Sequence, residues 1–143
     1  MPIRILASAD FHLGRKSSAV PSGSEESSTR FTWQRMVDWA VNNDTDVLIL
    51  SGDIIDEDNK FFEAIGPIKS GFEKLQNQGI QVFLVSGNHD FDVLSEIIKN
   101  NRFDNVHLLG DKGNWEEVKF DTEQESIRVI GWSFPEKYVK EDP

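Results

Sequence analysis

The sequence predicts an α/β protein built on a mostly parallel sheet flanked by helices. Three short, nearly continuous apolar runs occupy residues 3–8, 46–51 and 80–85, as in strands buried on both faces. Segments with helical periodicity separate them, and strands alternating with helices imply right-handed crossovers between parallel neighbours. The composition agrees. At 143 residues, 38% hydrophobic and 28% charged, the chain suits one globular domain with its own core.

Taken in order, the run at 3–8 is the first strand. Residues 17–30 hold six serines, one proline and one glycine with no apolar periodicity, and read as a mobile loop. Trp33, Met36, Val37, Ala40 and Val41 follow the i, i+3, i+4, i+7, i+8 spacing of an amphipathic helix. After the second strand, Phe61, Ile65, Ile68, Phe72 and Leu75 share one helical face. Gly66-Pro67 interrupts that face and predicts a kink or two shorter helices. Gly79 suits a helix C-terminus. A short helix carrying Leu94, Ile97 and Ile98 is expected after Asp92, and further strands at 106–109, 115–120 and 127–132.

Several function classes are excluded early. Cysteine is absent, which removes disulfide scaffolds, thiolate metal sites, iron–sulfur clusters and thiol catalysis. No apolar run is long enough to span a bilayer, so no membrane is expected. Residues 1–4 lead straight into a strand, so no signal peptide is expected either, and a cytoplasmic location follows. The net charge of −10 opposes general coating of nucleic acid but permits a local phosphate site. G-x-G-x-x-G, P-loop and G-x-S-x-G motifs are missing, and with them the dinucleotide, NTPase and serine-hydrolase readings.

The three parallel strands end alike: Ser8-Ala9-Asp10, Ser51-Gly52-Asp53 and Ser86-Gly87-Asn88. Taken singly, Asp or Asn after a strand reads as an Asx turn or a helix cap. Three such ends on one sheet edge, where open α/β sheets bind ligands, point instead to a metal or phosphate site. Small residues let the backbone turn sharply there and let an ion come close. Two of the three histidines, His12 and His89, sit beside these ends. Carboxylate, amide and imidazole donors suit manganese, iron or zinc. Two carboxylates in one cleft repel unless a cation stands between them.

Asp10-Phe11-His12, Gly52-Asp53-Ile54-Ile55-Asp56 and Gly87-Asn88-His89-Asp90 resemble the first three motifs of calcineurin-like metallophosphoesterases, in order and spacing. Asp10-Phe11-His12-Leu13-Gly14 is similar to the SbcD-like DNA-repair nuclease branch, and the resemblance covers most of residues 1–110. It implies the N-terminal half of a metallophosphoesterase β-sandwich fold. It also implies a two-metal phosphodiesterase, an exonuclease or endonuclease on DNA, with manganese as the first choice of ion and iron or zinc as substitutes. By the same resemblance Asp10 and His12 bind one metal, Asp53 bridges two, and Asn88 binds the second. His89 sits over the scissile phosphate as a catalytic residue, stabilising or protonating the departing oxygen, and Asp90 orients it. Asp56 is either a site residue or a helix cap. The implied partner is a coiled-coil ATPase of the SbcC kind.

The sequence also departs from that pattern. The family completes its metals with three later histidines, two of them in Gly-His-x-His. After His89 this chain has only His107, which reads as a surface or sheet-edge histidine. Residues 1–143 are therefore expected to form one C-terminally truncated domain. Such a portion is inactive alone and binds metal weakly, and it exposes edges that favour a homodimer. Two alternatives remain: a phosphatase acting on small molecules or proteins, and a non-catalytic module that retains the fold. Arg15 and Lys16 read as a solvated loop or as phosphate contacts. Phe11 reads as sheet packing or as a base-stacking ring.

Overall fold

The apolar runs become parallel strands that lie side by side in chain order. The computed structural model describes residues 2–15, 28–59 and 63–143. Its elements are β1 (Ile5–Ala9), α1 (Thr29–Asn42), β2 (Val47–Ser51), a 3₁₀ turn (Glu57–Asn59), α2 (Ile65–Asn77), β3 (Gln81–Val85), α3 (Val93–Asn101), β4 (Val106–Leu108), β5 (Glu116–Asp121) and β6 (Ser126–Gly131). The sheet order is β1-β2-β3-β4, all parallel, while β5 and β6 form a separate antiparallel hairpin.

This strand order dictates the layers. Each crossover advances the same way across the sheet, and right-handed crossovers then deposit successive helices on one face. Trp33, Val37, Ile68, Phe72, Leu94 and Ile97 accordingly share a core with Leu48, Leu50, Val82 and Leu84. The alternate residues Val47, Ile49, Phe83 and Val85 face the hairpin's Val118, Phe120, Ile127 and Val129. Both faces of the central strands are covered, which explains their unbroken apolar runs. β1 differs from the expectation of full burial. It is an edge strand, and Ile5 stays 48% exposed.

Two helix boundaries also differ. α1 begins at Thr29, because the Ser28 hydroxyl accepts from the Phe31 amide and caps it at 3.2 Å. The last residues of the expected loop are therefore cap and helix; the remainder of that loop, Lys16 and Phe61 lie outside the described residues. α2 starts at Ile65 without a kink, since Pro67 falls in its first turn, where its missing N–H has no intrahelical partner to lose. Trp33 locks α1 to α2. Its Nε1–H donates to the Pro67 carbonyl at 2.8 Å, and its ring fills the space a side chain at Gly71 would need. Gly79 (φ +71°) ends α2 as expected, its amide donating to the Gln76 carbonyl. Among the described residues no helix is long and apolar enough to cross a membrane.

Candidate metal centre

The parallel register brings the strand ends level. Ala9 lies opposite Ser51, and Ser51 opposite Val85, so Asp10, Asp53 and Asn88 leave from one sheet edge. The chain leaves β1 and β2 under strain. Asp10 (φ 59°), His12 (φ 48°) and Asp53 (φ 47°) all occupy the left-handed region. Non-glycine residues there cost about 1–3 kcal/mol each unless the surroundings hold them. Here the two loops zip together: Asp10 N–H donates to Gly52 O (3.1 Å), His12 N–H to Asp53 O (2.9 Å), Leu13 N–H to Ile54 O (2.8 Å) and Asp56 N–H to Leu13 O (3.0 Å).

The small residues have a specific use. A Cβ on Gly87 would stand 2.1 Å from Asp53 Oδ1, so the Asp53 carboxylate occupies the room that glycine leaves. Gly52 (φ +73°) makes the preceding turn. Asp53 Oδ1 also accepts the His89 amide at 3.0 Å, which joins the β2 and β3 loops.

Donor atoms of Asp10, His12 and Asp53 all lie within 4.8 Å of one another, and so do those of His12, Asp56 and His89. His12 is mostly buried between two carboxylates: Nε2 lies 2.8 Å from Asp10 Oδ1 and Nδ1 3.1 Å from Asp56 Oδ1. A nitrogen and a carboxylate oxygen this close need a proton or a cation between them. Asp56, holding Nδ1, leaves Nε2 turned toward Asp10, the arrangement that orients a metal-ligating imidazole. The donor set therefore fits a hard or borderline divalent ion. Asn88 sits half-buried between Gly87 and His89 in the β3–α3 loop. The His89 ring meets the His12 ring edge-on at 4.8 Å.

Asp90 differs from expectation. It is fully buried, and it directs its oxygens not at His89 but at three backbone amides: Ile54 (2.6 Å) and Ile55 (3.1 Å) on Oδ2, and Gly87 (2.7 Å) on Oδ1. It clamps the β2 loop to the β3 loop. Burial pushes its carboxyl pKa up; the three amides pull the other way, and the Asp53 charge adds to the rise. Among the described residues, the carboxylate closest to a His89 ring nitrogen is that of Glu57, with Oε2 3.6 Å from Nδ1.

Asp56, left open between a site residue and a helix cap, directly precedes the 3₁₀ turn and turns its carboxylate to His12. Glu57 carried no sequence signal beyond lying next to it. Phe11 packs into the helix-side core near Trp33, with ring centroids 5.9 Å apart. Arg15 is exposed, its amide donating to the His12 carbonyl at 2.9 Å. His107 lies on the edge strand β4, away from the loops, stacked on Phe83 at 4.9 Å and 2.9 Å from Gln81 Oε1.

Comparison with known proteins agrees with this geometry. The chain is 30% identical over 115 residues to the uncharacterized metallophosphoesterase YhaO of Bacillus subtilis (strain 168), a match covering 80% of this chain and 28% of that protein. The crystal structure of Pseudomonas putida nuclease MPE superposes with a TM-score of 0.52 at 20% identity, over 74% of this chain and 47% of the nuclease. The chain thus spans less than half the length of either. The family model for calcineurin-like phosphoesterases matches residues 3–138, with all three strand-end motifs inside it. With nearly its whole length inside that model, this chain belongs to the calcineurin-like phosphoesterase family.

Proposed function

We propose that this chain forms the metal-binding core of a two-metal phosphodiesterase that cleaves DNA in the manner of SbcD-like nucleases. The observation that carries the proposal is the convergence of Asp10, His12 and Asp53 in strained backbone at one sheet edge, with the His89 ring against His12. Asp10 and His12 hold one ion, Asp53 serves both, and Asn88 contributes to the second; manganese is the proposed metal. Bound divalent ions supply a water nucleophile at neutral pH and neutralise phosphate charge. Asp53 is held for this role by the Gly87 gap and the His89 amide. Asp56 fixes the His12 ring from behind. His89 delivers a proton from Nε2 to the departing oxygen. The fold of nuclease MPE supports the architecture, and the Asp10-Phe11-His12-Leu13-Gly14 motif supports the nuclease branch and an SbcC-like ATPase partner.

The test measures metal content and cleavage together, on linear duplex DNA, bis-p-nitrophenyl phosphate and p-nitrophenyl phosphate, in the complete polypeptide. Asp53→Ala loses both metal and activity. His89→Ala keeps its metal but loses about 10²–10⁴-fold in turnover, the usual contribution of a general acid. Loss of metal in His89→Ala would make His89 a ligand instead. Turnover of the monoester alone would replace the nuclease reading with a phosphatase.

A further inference from the structure

The segment following β6 reaches the candidate site. The Ser133 hydroxyl donates to Leu109 O at 2.6 Å and accepts the Ser86 amide at 3.0 Å, while the Phe134 amide donates to Ser86 O at 3.3 Å. Ser86 begins the loop that carries Asn88 and His89, so the chain after β6 is fastened to the base of that loop. Three residues on, the Lys137 ammonium pairs with Glu57 Oε1, eighty residues away in sequence. The other oxygen, Glu57 Oε2, faces His89 Nδ1 at 3.6 Å. That distance is too long for a hydrogen bond. Yet Nδ1 is buried and, among the described residues, has no hydrogen-bond partner. A buried unpaired ring nitrogen is costly, and a small side-chain movement brings Glu57 within bonding distance.

We infer that Glu57 is the positioning residue for His89: it accepts from Nδ1–H, while Lys137 holds its other oxygen in place. The inference rests on the proposed role of His89. An Nδ1–H facing Glu57 fixes the tautomer, so Nε2 carries the lone pair in the neutral ring and gains the transferable proton on protonation. Lys137 matches the arrangement. Its pKa is raised, first by the hydrogen bond to Glu57 and also by that carboxylate's charge. Asp56 faces the other histidine, its Oδ1 3.1 Å from His12 Nδ1. The geometry thus ties the chain after the hairpin to the catalytic histidine through one carboxylate.

Two readouts test this. The first needs no activity: long-range ¹H–¹⁵N correlation of ¹⁵N-histidine-labelled, metal-free protein at a pH where imidazole is neutral. Wild-type His89 shows the Nδ1–H tautomer. Glu57→Ala moves it toward the mixture of a free imidazole, and Glu57→Gln, which keeps a carbonyl acceptor, restores most of it. An unchanged signature in Glu57→Ala, or a shift in Asp56→Asn alone, overturns the assignment. The second is kinetic, with manganese and bis-p-nitrophenyl phosphate. Glu57→Ala lowers kcat about 10- to 100-fold, with KM held within about twofold. Lys137→Met costs less, and the double variant is no worse than Glu57→Ala. Losses that multiply in the double variant would mean that Lys137 acts independently of Glu57, and would overturn its place in the chain. Lack of phosphodiesterase activity in wild type would count against the proposed function while leaving the tautomer result to decide Glu57.

Discussion

Replacing Asp90 by alanine removes the acceptor for three buried amides at once. Two of those bonds, to Ile54 at 2.6 Å and Gly87 at 2.7 Å, are short, and the third, to Ile55, is 3.1 Å. A buried donor left without a partner costs about 1–3 kcal/mol. Part of this is offset, because the variant no longer buries a carboxyl, whose pKa is pushed up by burial. The net loss is about 3–5 kcal/mol for the three donors together. With a urea m-value of about 2 kcal/mol/M, the midpoint falls by about 1.5–2.5 M. Asp90→Asn sheds the charge and keeps one acceptor, so it recovers about half of that loss. It does not recover all, because its amide turns a donor toward a donor. The assay is equilibrium urea unfolding followed by far-UV circular dichroism. A midpoint for Asp90→Ala within about 0.3 M of wild type would refute the clamp. It would return Asp90 to the role of orienting His89, above all if turnover fell at the same time.

Two further outcomes follow from the same structure. In Gly87→Ala the new methyl would overlap Asp53 Oδ1, so the carboxylate is displaced; manganese affinity by titration calorimetry drops at least about tenfold while the circular dichroism spectrum is retained. Burial lowers the pKa of His107, with the Glu116 charge opposing. The folded state therefore binds this proton less readily than the unfolded chain. The contribution of His107 to stability is full above the unfolded pKa, near about 6.5, and drains away as pH falls through the lowered folded value. His107→Gln removes that slope, seen as a smaller difference between urea midpoints at pH 8 and pH 5; an unchanged slope would place the acid sensitivity elsewhere.

The pattern of apolar runs carried most of the fold because central strands of a parallel sheet are covered on both sides. Val47, Leu48, Ile49 and Leu50 must all be apolar when helices lie on one face and the hairpin on the other. The same reasoning overstated β1, whose ILASA is less apolar than the VLILS of β2. Nothing local to Ile5 says that its strand will form a sheet edge; that is a property of strand order. Gly66-Pro67 misled for a similar reason. Proline breaks a helix interior but is tolerated in a first turn, and periodicity alone does not locate the first turn. For the candidate site, the strand-end motifs named Asp10, His12, Asp53, Asn88 and His89, and the parallel register carries these loops to one sheet edge.

What the sequence determined by itself was the set of donors and the edge from which they emerge, since both follow from residue type and parallel pairing. Tertiary structure decided which atom each donor faces. Asp90 and Glu57 are both acidic residues in loops near β2 and β3, and composition cannot tell them apart. Asp90 is sealed among backbone amides and became a clamp. Glu57 lies partly exposed, between His89 and a lysine from beyond the hairpin. The Glu57–Lys137 pair joins residues far apart in the chain, and just before Lys137 the chain is fastened by Ser133 and Phe134 to Ser86. Local patterns report on neighbours a few residues away. Contacts of this range exist only after the layers have packed, which is why the sequence could name the residues but not the carboxylate beside His89.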